Sequence, residues 1–253
     1  MVFMNKAKIN VTPDMLFGAT EVHLSPISFC QENVLLNSSL EQPLQALFKA
    51  GKEQGFEIRV ASGFRSAKRQ LHIWNKKARG ERPVLDQNEV PMSCPELPEW
   101  SWVEAILRWS ALPGTSRHHW GTDVDIYAPN VLPKGYTLQL TYEETQPSGV
   151  MGEFYLWLDE WLSAQAEDGF FRPFMNVNNN KDNFGVACEP WHLSYKPVAR
   201  VFERAWDEQA RSNHKFKGWL LEQDIELKSV IIENLDQIFA RFVHLPLASK
   251  KSE

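Results

Sequence analysis

Apolar residues recur at helical spacing in several parts of the chain. Leu40, Leu44, Leu47 and Phe48 lie on one face of a predicted helix that ends near Gly51. Patterns of the same kind predict further helices, over residues 67–78, 102–109 and 153–166. Short apolar segments separate these stretches, so the chain is predicted to combine helices with a small sheet.

Short strands are indicated in five places, residues 56–60, 121–127, 136–140, 170–174 and 184–188. In the second of these strands, Val124 and Ile126 lie on one face and Asp123 and Asp125 on the other, because successive strand side chains alternate. The apolar face is expected to pack, and the acidic face is expected to look into a site. The predicted fold class is α+β, with a small, mainly antiparallel sheet surrounded by helices.

One apolar stripe runs along the C-terminal part of the chain. It consists of Leu227, Ile231, Leu235, Ile238 and Phe242, with charged residues opposite. This stripe either packs on the rest of the chain or forms a dimer. Packing is favoured, so a monomer is expected. A different composition, rich in proline and acidic residues, predicts a loop over residues 81–99.

Composition narrows the classes of protein that fit. With 253 residues, 43% of them hydrophobic, the chain can bury one substantial core. A net charge of -5 argues against nucleic acid as the main partner. Residues 1–8 lack the apolar core of a signal peptide, and no segment approaches a membrane span. A cytoplasmic location is therefore expected; a trimmed N-terminus or a rarer export route would instead place the protein in the periplasm or cell envelope.

The cysteines, Cys30, Cys94 and Cys188, are few and odd in number. Their spacing is typical neither of a disulfide framework nor of a cysteine zinc site. Cys188 adjoins Glu189 but has no separate partner that would make it a nucleophile, and we expect it to be a buried strand residue.

Two short stretches together offer the ligands of a metal site. Residues 116–125 read SRHHWGTDVD, and residues 189–192 read EPWH. They supply two imidazoles, a carboxylate and a spare glutamate, which suits a catalytic zinc centre with one open coordination position. Pro190 favours an extended backbone at Glu189, so Glu189 and His192 are expected at the end of the strand over 184–188. These features predict a zinc hydrolase.

The motifs resemble those of a known family. Ser-x-His-x-x-Gly-x-x-x-Asp followed by Glu-Pro-Trp-His is similar to the zinc D-alanyl-D-alanine carboxypeptidases and dipeptidases of the vancomycin-resistance type. These enzymes share a fold with lysostaphin-type endopeptidases and the hedgehog signalling domain. Residues 62–66, SGFRS, match the family's Gly-aromatic-Arg-Ser turn, and the motif order agrees over residues 40–197. Asp123 departs from the family pattern, which often has a small apolar residue there.

The resemblance implies a role for each matching residue of the metal site. His118, Asp125 and His192 would bind one zinc ion per chain, and Glu189 would act as general base. The chemistry favours the same division, because zinc lowers the pKa of a bound water to about 7 and a nearby carboxylate can take its proton.

Other motif residues are assigned to substrate or to packing. Arg65 is expected to stabilise the oxyanion that forms during hydrolysis. The resemblance gives Ser116 a hydrogen-bonding role towards substrate. At least one of Trp120 and Trp191 is expected to line the cleft, and Trp191 is taken as substrate-binding. His119 is out of the family's register and is expected to pack or to support a ligand.

The resemblance implies a zinc carboxypeptidase that removes a terminal D-amino acid, of the D-Ala-D-Ala type, from cell-wall peptides. A peptidoglycan endopeptidase and an L,D-carboxypeptidase are alternatives, and a non-catalytic zinc-binding recognition module is an alternative of another class. Glu189 and Arg65 argue against that module, because a structural zinc site is normally closed by four protein ligands. We expect an N-terminal extension over residues 1–39, the catalytic domain over 40–200, and a packed C-terminal helical extension over 201–253.

Overall fold

The structure is a computed structural model that describes residues 10–30, 34–92, 98–165, 168–175, 185–210 and 214–243. The helices are α1 (Pro13–Phe17), α2 (Glu41–Glu53), α3 (Ala67–Ala78), α4 (Glu99–Trp109), α5 (Tyr142–Thr145), α6 (Gly152–Ser163), α7 (Lys196–Ala210), α8 (His214–Glu222), α9 (Lys228–Glu233) and α10 (Leu235–Ile238). The strands are β1 (Ser25–Pro26), β2 (Leu35–Leu36), β3 (Arg59–Ser62), β4 (Val84–Leu85), β5 (Pro91–Met92), β6 (Asp123–Tyr127), β7 (Phe170–Phe171) and β8 (His192–Tyr195). The predicted α+β class is confirmed. Cys94 and the end residues Ala166 and Phe184 of two predicted elements lie outside the described residues.

The sheet that carries the metal motifs has four antiparallel strands in the order β3-β6-β8-β7. Val124 and Ile126 of β6 and Leu193 of β8 are fully buried in a core cluster that α2 and α6 also enter. The prediction that one face of β6 packs is confirmed. Because side chains alternate along a strand, Asp123 and Asp125 lie on the opposite face.

The predicted helices form, although α4 begins at Glu99 instead of residue 102 and α6 ends at Ser163 instead of residue 166. α2 buries Leu44 and Leu47, and α3 buries Trp74. α3 begins directly after Ser66, whose side-chain oxygen accepts a hydrogen bond from the Arg69 amide at 3.2 Å. Such an N-cap satisfies an amide that has no partner within the helix. The cap fixes where the segment from β3 turns into α3.

A second core cluster joins both ends of the described chain to its middle. It contains residues from α1, α3, α4, α7 and α8, namely Phe17, Trp74, Ile106, Phe202 and Phe216. The C-terminal stripe packs on the same cluster. The stripe is divided among α9, α10 and a π-helical turn, Phe239–Val243, rather than lying on one helix. The domain boundaries near residues 40 and 200 stay a prediction. No described helix is both long and apolar enough to cross a bilayer.

The prediction of a strand over residues 184–188 is wrong for residues 185–188, the part of it that the structure describes. The amides of Ala187 and Glu189 donate to carbonyl oxygens outside any strand, those of Arg108 and Phe174. Pairing with β6 begins only at His192, after Pro190, which has no amide proton to donate. Cys188 therefore lies half-buried in a loop, which corrects its prediction as a buried strand residue.

The strand predicted over residues 136–140 is a loop. The Glu144 carboxylate accepts hydrogen bonds from the amides of Gln139 and Thr141, at 2.9 and 3.1 Å. Leu140 has a φ of 56°, in the left-handed region, which a strand cannot contain. A local side-chain acceptor thus takes the place of a neighbouring strand.

The remaining differences concern the bounds of elements. β3 occupies Arg59–Ser62 instead of residues 56–60, since the Glu57 amide donates to the Asn130 side chain instead of a strand. The strand predicted over 170–174 is limited to β7, and the predicted loop over 81–99 contains the antiparallel pair β4 and β5.

Candidate metal centre

The pairing of β6 with β8 brings two of the predicted ligands together. Asp125 lies directly opposite His192 in the antiparallel register. Opposite residues of such a pair have Cβ atoms about 4.5–5.5 Å apart, so their side chains meet on one face. Two motifs separated by a long stretch of sequence therefore converge through strand pairing.

His118 reaches the same point from a 3-10 turn, Arg117–Trp120, that precedes β6. Gly121 ends this turn with a φ of +67°, and a Cβ there would lie 2.2 Å from the Leu24 side chain. The left-handed backbone favours glycine, and the Asn37 amide nitrogen, 3.1 Å from that Cβ, leaves little room for a side chain. This tight reversal folds His118 back towards Asp125.

The three side chains present their acceptor atoms to one small volume. His192 Nδ1 lies 3.0 Å from Asp125 Oδ1, and His118 Nε2 lies 3.3 Å from Asp125 Oδ2. One ligand atom from each residue lies within 4.8 Å of the others. All three residues are at most 5% exposed. Buried acceptors at these separations suit a shared cation.

Hydrogen bonds on the far side of each imidazole fix which nitrogen faces the centre. His118 Nδ1 is 2.9 Å from the Gly63 carbonyl oxygen, so in the neutral ring Nδ1 donates and Nε2 keeps its lone pair. His192 Nε2 is 2.9 Å from Asp123 Oδ1, which leaves the Nδ1 lone pair towards Asp125. Metal-binding histidines usually have such a partner on the second nitrogen.

The electrostatics of the centre favour a positive charge between these groups. Asp125 Oδ1 and His192 Nδ1 are buried and have no hydrogen-bond partner among the described residues, although they face each other. Burial lowers the pKa of His192, but Asp123 and Asp125 outweigh it and raise the pKa to about 9. Burial opposes ionisation of Asp125, yet His118 and His192 hold the pKa of its carboxyl well below the usual range. The donor set therefore fits a zinc ion, which would take the place of the proton.

Glu189 lies beside this centre without being one of its three convergent donors. Its Oε2 is 3.7 Å from His192 Nδ1. Burial raises the pKa of Glu189 to about 7, against the opposing effect of His192. A carboxyl group with a pKa near neutrality can both accept and return a proton at physiological pH.

Arg65 is tied to the metal motif and lines the same cleft. Its amide donates to the His118 carbonyl at 3.2 Å. Its guanidinium donates to Gln70 Oε1 at 2.9 Å and to Ser62 Oγ at 3.3 Å. Burial lowers the pKa of Arg65, while Asp125 and Glu189 oppose this effect. Neutral partners thus orient the cation and leave its charge available to the cleft.

The adjacent histidine, His119, has both ring nitrogens engaged away from the centre. Its Nε2 accepts from the Gly114 amide at 3.1 Å, and its Nδ1 lies 2.5 Å from the Arg65 carbonyl oxygen. Burial lowers the pKa of His119 to about 3, so the ring is neutral. The geometry agrees with the expectation that His119 packs and supports its neighbours.

The cleft above the centre has a volume of about 810 Å³. Ser116 and Trp191, predicted to bind substrate, both line it. Both motif tryptophans are buried in core clusters, and Trp120 stacks 5.8 Å from Phe202, but Trp191 also borders the cleft and Trp120 does not. The expectation that at least one of the two motif tryptophans reaches the cleft is met by Trp191.

Sequence reasoning missed two residues that organise the site. Gln70 is fully buried and holds the Arg65 guanidinium, while its own amide donates to the Ala111 carbonyl at 2.7 Å. Arg117 is buried and bonded to Asp123 at 2.8 Å. The sequence signal for the Arg117–Asp123 pair was an arginine next to the predicted ligand His118, followed by an acidic residue where the family often has a small apolar one.

Three acceptors with an ionisable carboxylate beside them define a mononuclear metal hydrolase centre. The family model VanY, described as D-alanyl-D-alanine carboxypeptidase, matches residues 33–198. The chain therefore belongs to the VanY family of zinc-dependent D-alanyl-D-alanine carboxypeptidases. The predicted family, enzyme class and zinc cofactor are confirmed.

Individual relatives cover different shares of the chain. An uncharacterised protein of Haemophilus influenzae is 35% identical over 133 residues, which is 52% of this chain and 92% of the relative. The D-alanyl-D-alanine carboxypeptidase of Enterococcus faecalis is 29% identical over 157 residues, 60% of this chain but only 45% of that protein. Among solved structures, VanYB in complex with D-alanine-D-alanine has 23% identity and a TM-score of 0.47, covering 72% of this chain and 83% of that one.

Proposed function

We propose that this protein is a zinc D,D-carboxypeptidase that removes a terminal D-alanine from peptidoglycan-derived peptides. The observation that carries the proposal is the convergence of His118, Asp125 and His192 beside Glu189, in a chain of the VanY family. A purely structural zinc site would need neither the adjacent, mostly buried Glu189 nor the open cleft. We assign the first three residues as metal ligands and Glu189 as general base.

Glu189 carries the proton transfers. Zinc, held by His118, Asp125 and His192, would supply Lewis acidity and lower the pKa of the attacking water to about 7. The Glu189 carboxylate takes the proton of that water and returns it to the leaving amine. A pKa near 7 suits both steps, since the group is easily ionised and easily protonated.

Arg65 stabilises the negative charge that develops on the scissile carbonyl oxygen. Gln70 and Ser62 hold the guanidinium in one orientation before substrate arrives. A donor that is already oriented needs no reorganisation during the reaction, which is why such groups contribute strongly to catalysis. Removal of one such donor typically reduces kcat by about 10²–10³.

The basic wall of the cleft favours a substrate with a free carboxylate. Arg65, Arg69, Lys77 and Arg82 line it. Lys77 donates to Ser110 Oγ at 2.8 Å, and burial lowers its pKa to about 8. A terminal carboxylate would be complementary to these cations. Ser116 would add a hydrogen bond to the peptide and Trp191 an apolar contact.

A substrate panel with mass detection tests this function. The zinc-loaded protein is incubated with stem pentapeptides ending in D-Ala-D-Ala, tetrapeptides ending in an L,D bond, cross-linked dimers, and a matched pentapeptide ending in L-Ala-L-Ala. Release of one D-alanine from the first substrate, with little from the L-Ala control, is the expected result. Preferential cleavage of the tetrapeptide or the cross-link would replace the D,D assignment. No cleavage of any substrate by zinc-loaded protein would favour the recognition module.

A further inference from the structure

A buried chain of charged groups lies behind His192, on the side away from the proposed metal. Asp123 is fully buried, and its Oδ1 accepts from His192 Nε2 at 2.9 Å and from Arg117 Nε at 2.8 Å. Its Oδ2 accepts from the Thr122 hydroxyl at 2.5 Å. These contacts orient the carboxylate on the His192 ring.

Arg117 connects this carboxylate to a more distant part of the chain. Its Nη1 donates to Glu203 Oε1 at 2.7 Å, and its Nη2 donates to Ser194 Oγ at 2.7 Å. The guanidinium carbon also lies 4.8 Å from the centre of the Trp120 ring. Each nitrogen of the guanidinium therefore has an acceptor, so its position is fixed.

The net charge of Asp123, Arg117 and Glu203 affects how strongly His192 can bind a cation. Asp123 and Arg117 alone would form a neutral pair, and the Asp123 carboxylate would be shared mainly with the guanidinium. Glu203 supplies a second carboxylate to Arg117, so the three groups together carry a net negative charge. That charge makes His192 Nδ1, the nitrogen that faces the proposed metal, a better ligand. A carboxylate bonded to the other ring nitrogen, here Nε2, raises the basicity of a histidine ligand.

Glu203 belongs to α7, beyond residues 33–198 that the family model matches. We propose that Glu203 and Arg117 are positioning residues for the metal ligand His192, and that α7 is thereby a working part of the metal centre. This inference rests on the metal site of the proposed function, but not on the identity of the substrate. Neither residue needs to touch the metal or the peptide.

Zinc affinity measured by competition with a chromophoric chelator tests the inference. Glu203→Gln should weaken zinc binding by about 10-fold, at the lower end of the effect expected when a ligand's supporting partner is removed. Glu208→Gln is the matched control, since Glu208 is exposed on the same helix and the substitution removes the same charge. Glu208→Gln should bind zinc like the wild type.

Two further variants separate positioning from folding. Asp123→Asn combined with Glu203→Gln should lose less affinity than the sum of the two single changes, because both act through one path. Should Glu203→Gln fail to fold, Ser194→Ala removes a smaller acceptor of the same guanidinium and should weaken zinc binding a few-fold.

Wild-type affinity in folded Glu203→Gln would overturn the inference, as would fully additive losses in the double variant. If Glu203→Gln does not fold, wild-type zinc affinity in Ser194→Ala would overturn the inference. A wild-type protein that binds zinc tightly but cleaves no peptide would refute the proposed function and leave this inference standing.

Discussion

Replacement of Glu189 by glutamine separates the general base from the metal ligands. Glutamine keeps the shape of the side chain and cannot accept a proton at neutral pH. Positioned general bases contribute about 10²–10⁴-fold to rate, which corresponds to about 3–5 kcal/mol of activation free energy. Because the Glu189 side chain is only 17% exposed and burial raises its pKa to about 7, we expect kcat to fall by about 10²–10⁴-fold rather than by the small factor typical of an exposed carboxylate.

The zinc content of the same variant is predicted to stay at about one per chain. Glu189 is not among the three residues whose donor atoms converge, and its closest approach to His192 Nδ1 is 3.7 Å. The assay combines D-alanine release with metal analysis, and Glu160→Gln, an exposed change on α6, is the control. Loss of zinc from Glu189→Gln would make Glu189 a ligand. Retention of wild-type kcat would show that another group accepts the proton.

Three further predictions concern neighbouring groups. Asp123→Asn should weaken zinc affinity by about 10- to 100-fold, as expected for a group that orients a ligand. In a chelator titration, Asp125→Asn should weaken zinc affinity much more than Asp123→Asn does. The reverse order would assign the carboxylate ligand to Asp123. Since Glu189 must be ionised to accept a proton, kcat/KM should fall as the pH drops through about 7, or through a somewhat lower pH once zinc is bound. The residual kcat/KM of Glu189→Gln should not show this fall at acidic pH. Arg65→Lys should reduce kcat by about 10²–10³ with zinc content unchanged, and an effect confined to KM would assign Arg65 to ground-state binding alone.

The sequence was sufficient to predict the elements that carry strong local periodicity. The apolar faces of α2 and α3 and the alternation in β6 were correctly located. Burial of these side chains requires that periodicity, so their positions can be read without knowing the partner. The His118 and Asp125 motif could be predicted for a similar reason, because its spacing is set by one tight turn and one strand.

Features that depend on long-range partners could not be predicted. The apolar run before Glu189 is compatible with a strand, but the Ala187 amide donates to the Arg108 carbonyl and the Glu189 amide to the Phe174 carbonyl instead. Likewise, nothing near Arg117 in sequence indicates that Glu203, 86 residues away, is its partner. Contacts of this kind become visible only once the fold brings the two segments together.

Metal analysis of two adjacent histidine variants tests the central assignment most directly. His118 presents Nε2 to Asp125, whereas both nitrogens of His119 are engaged with Gly114 and Arg65. The wild type should hold about one zinc per chain, His118→Ala should lose tight binding, and His119→Ala should keep most of it while unfolding at a lower temperature. Equal zinc retention in the two folded variants, or loss only in His119→Ala, would contradict the assignment of His118, Asp125 and His192 as the metal ligands.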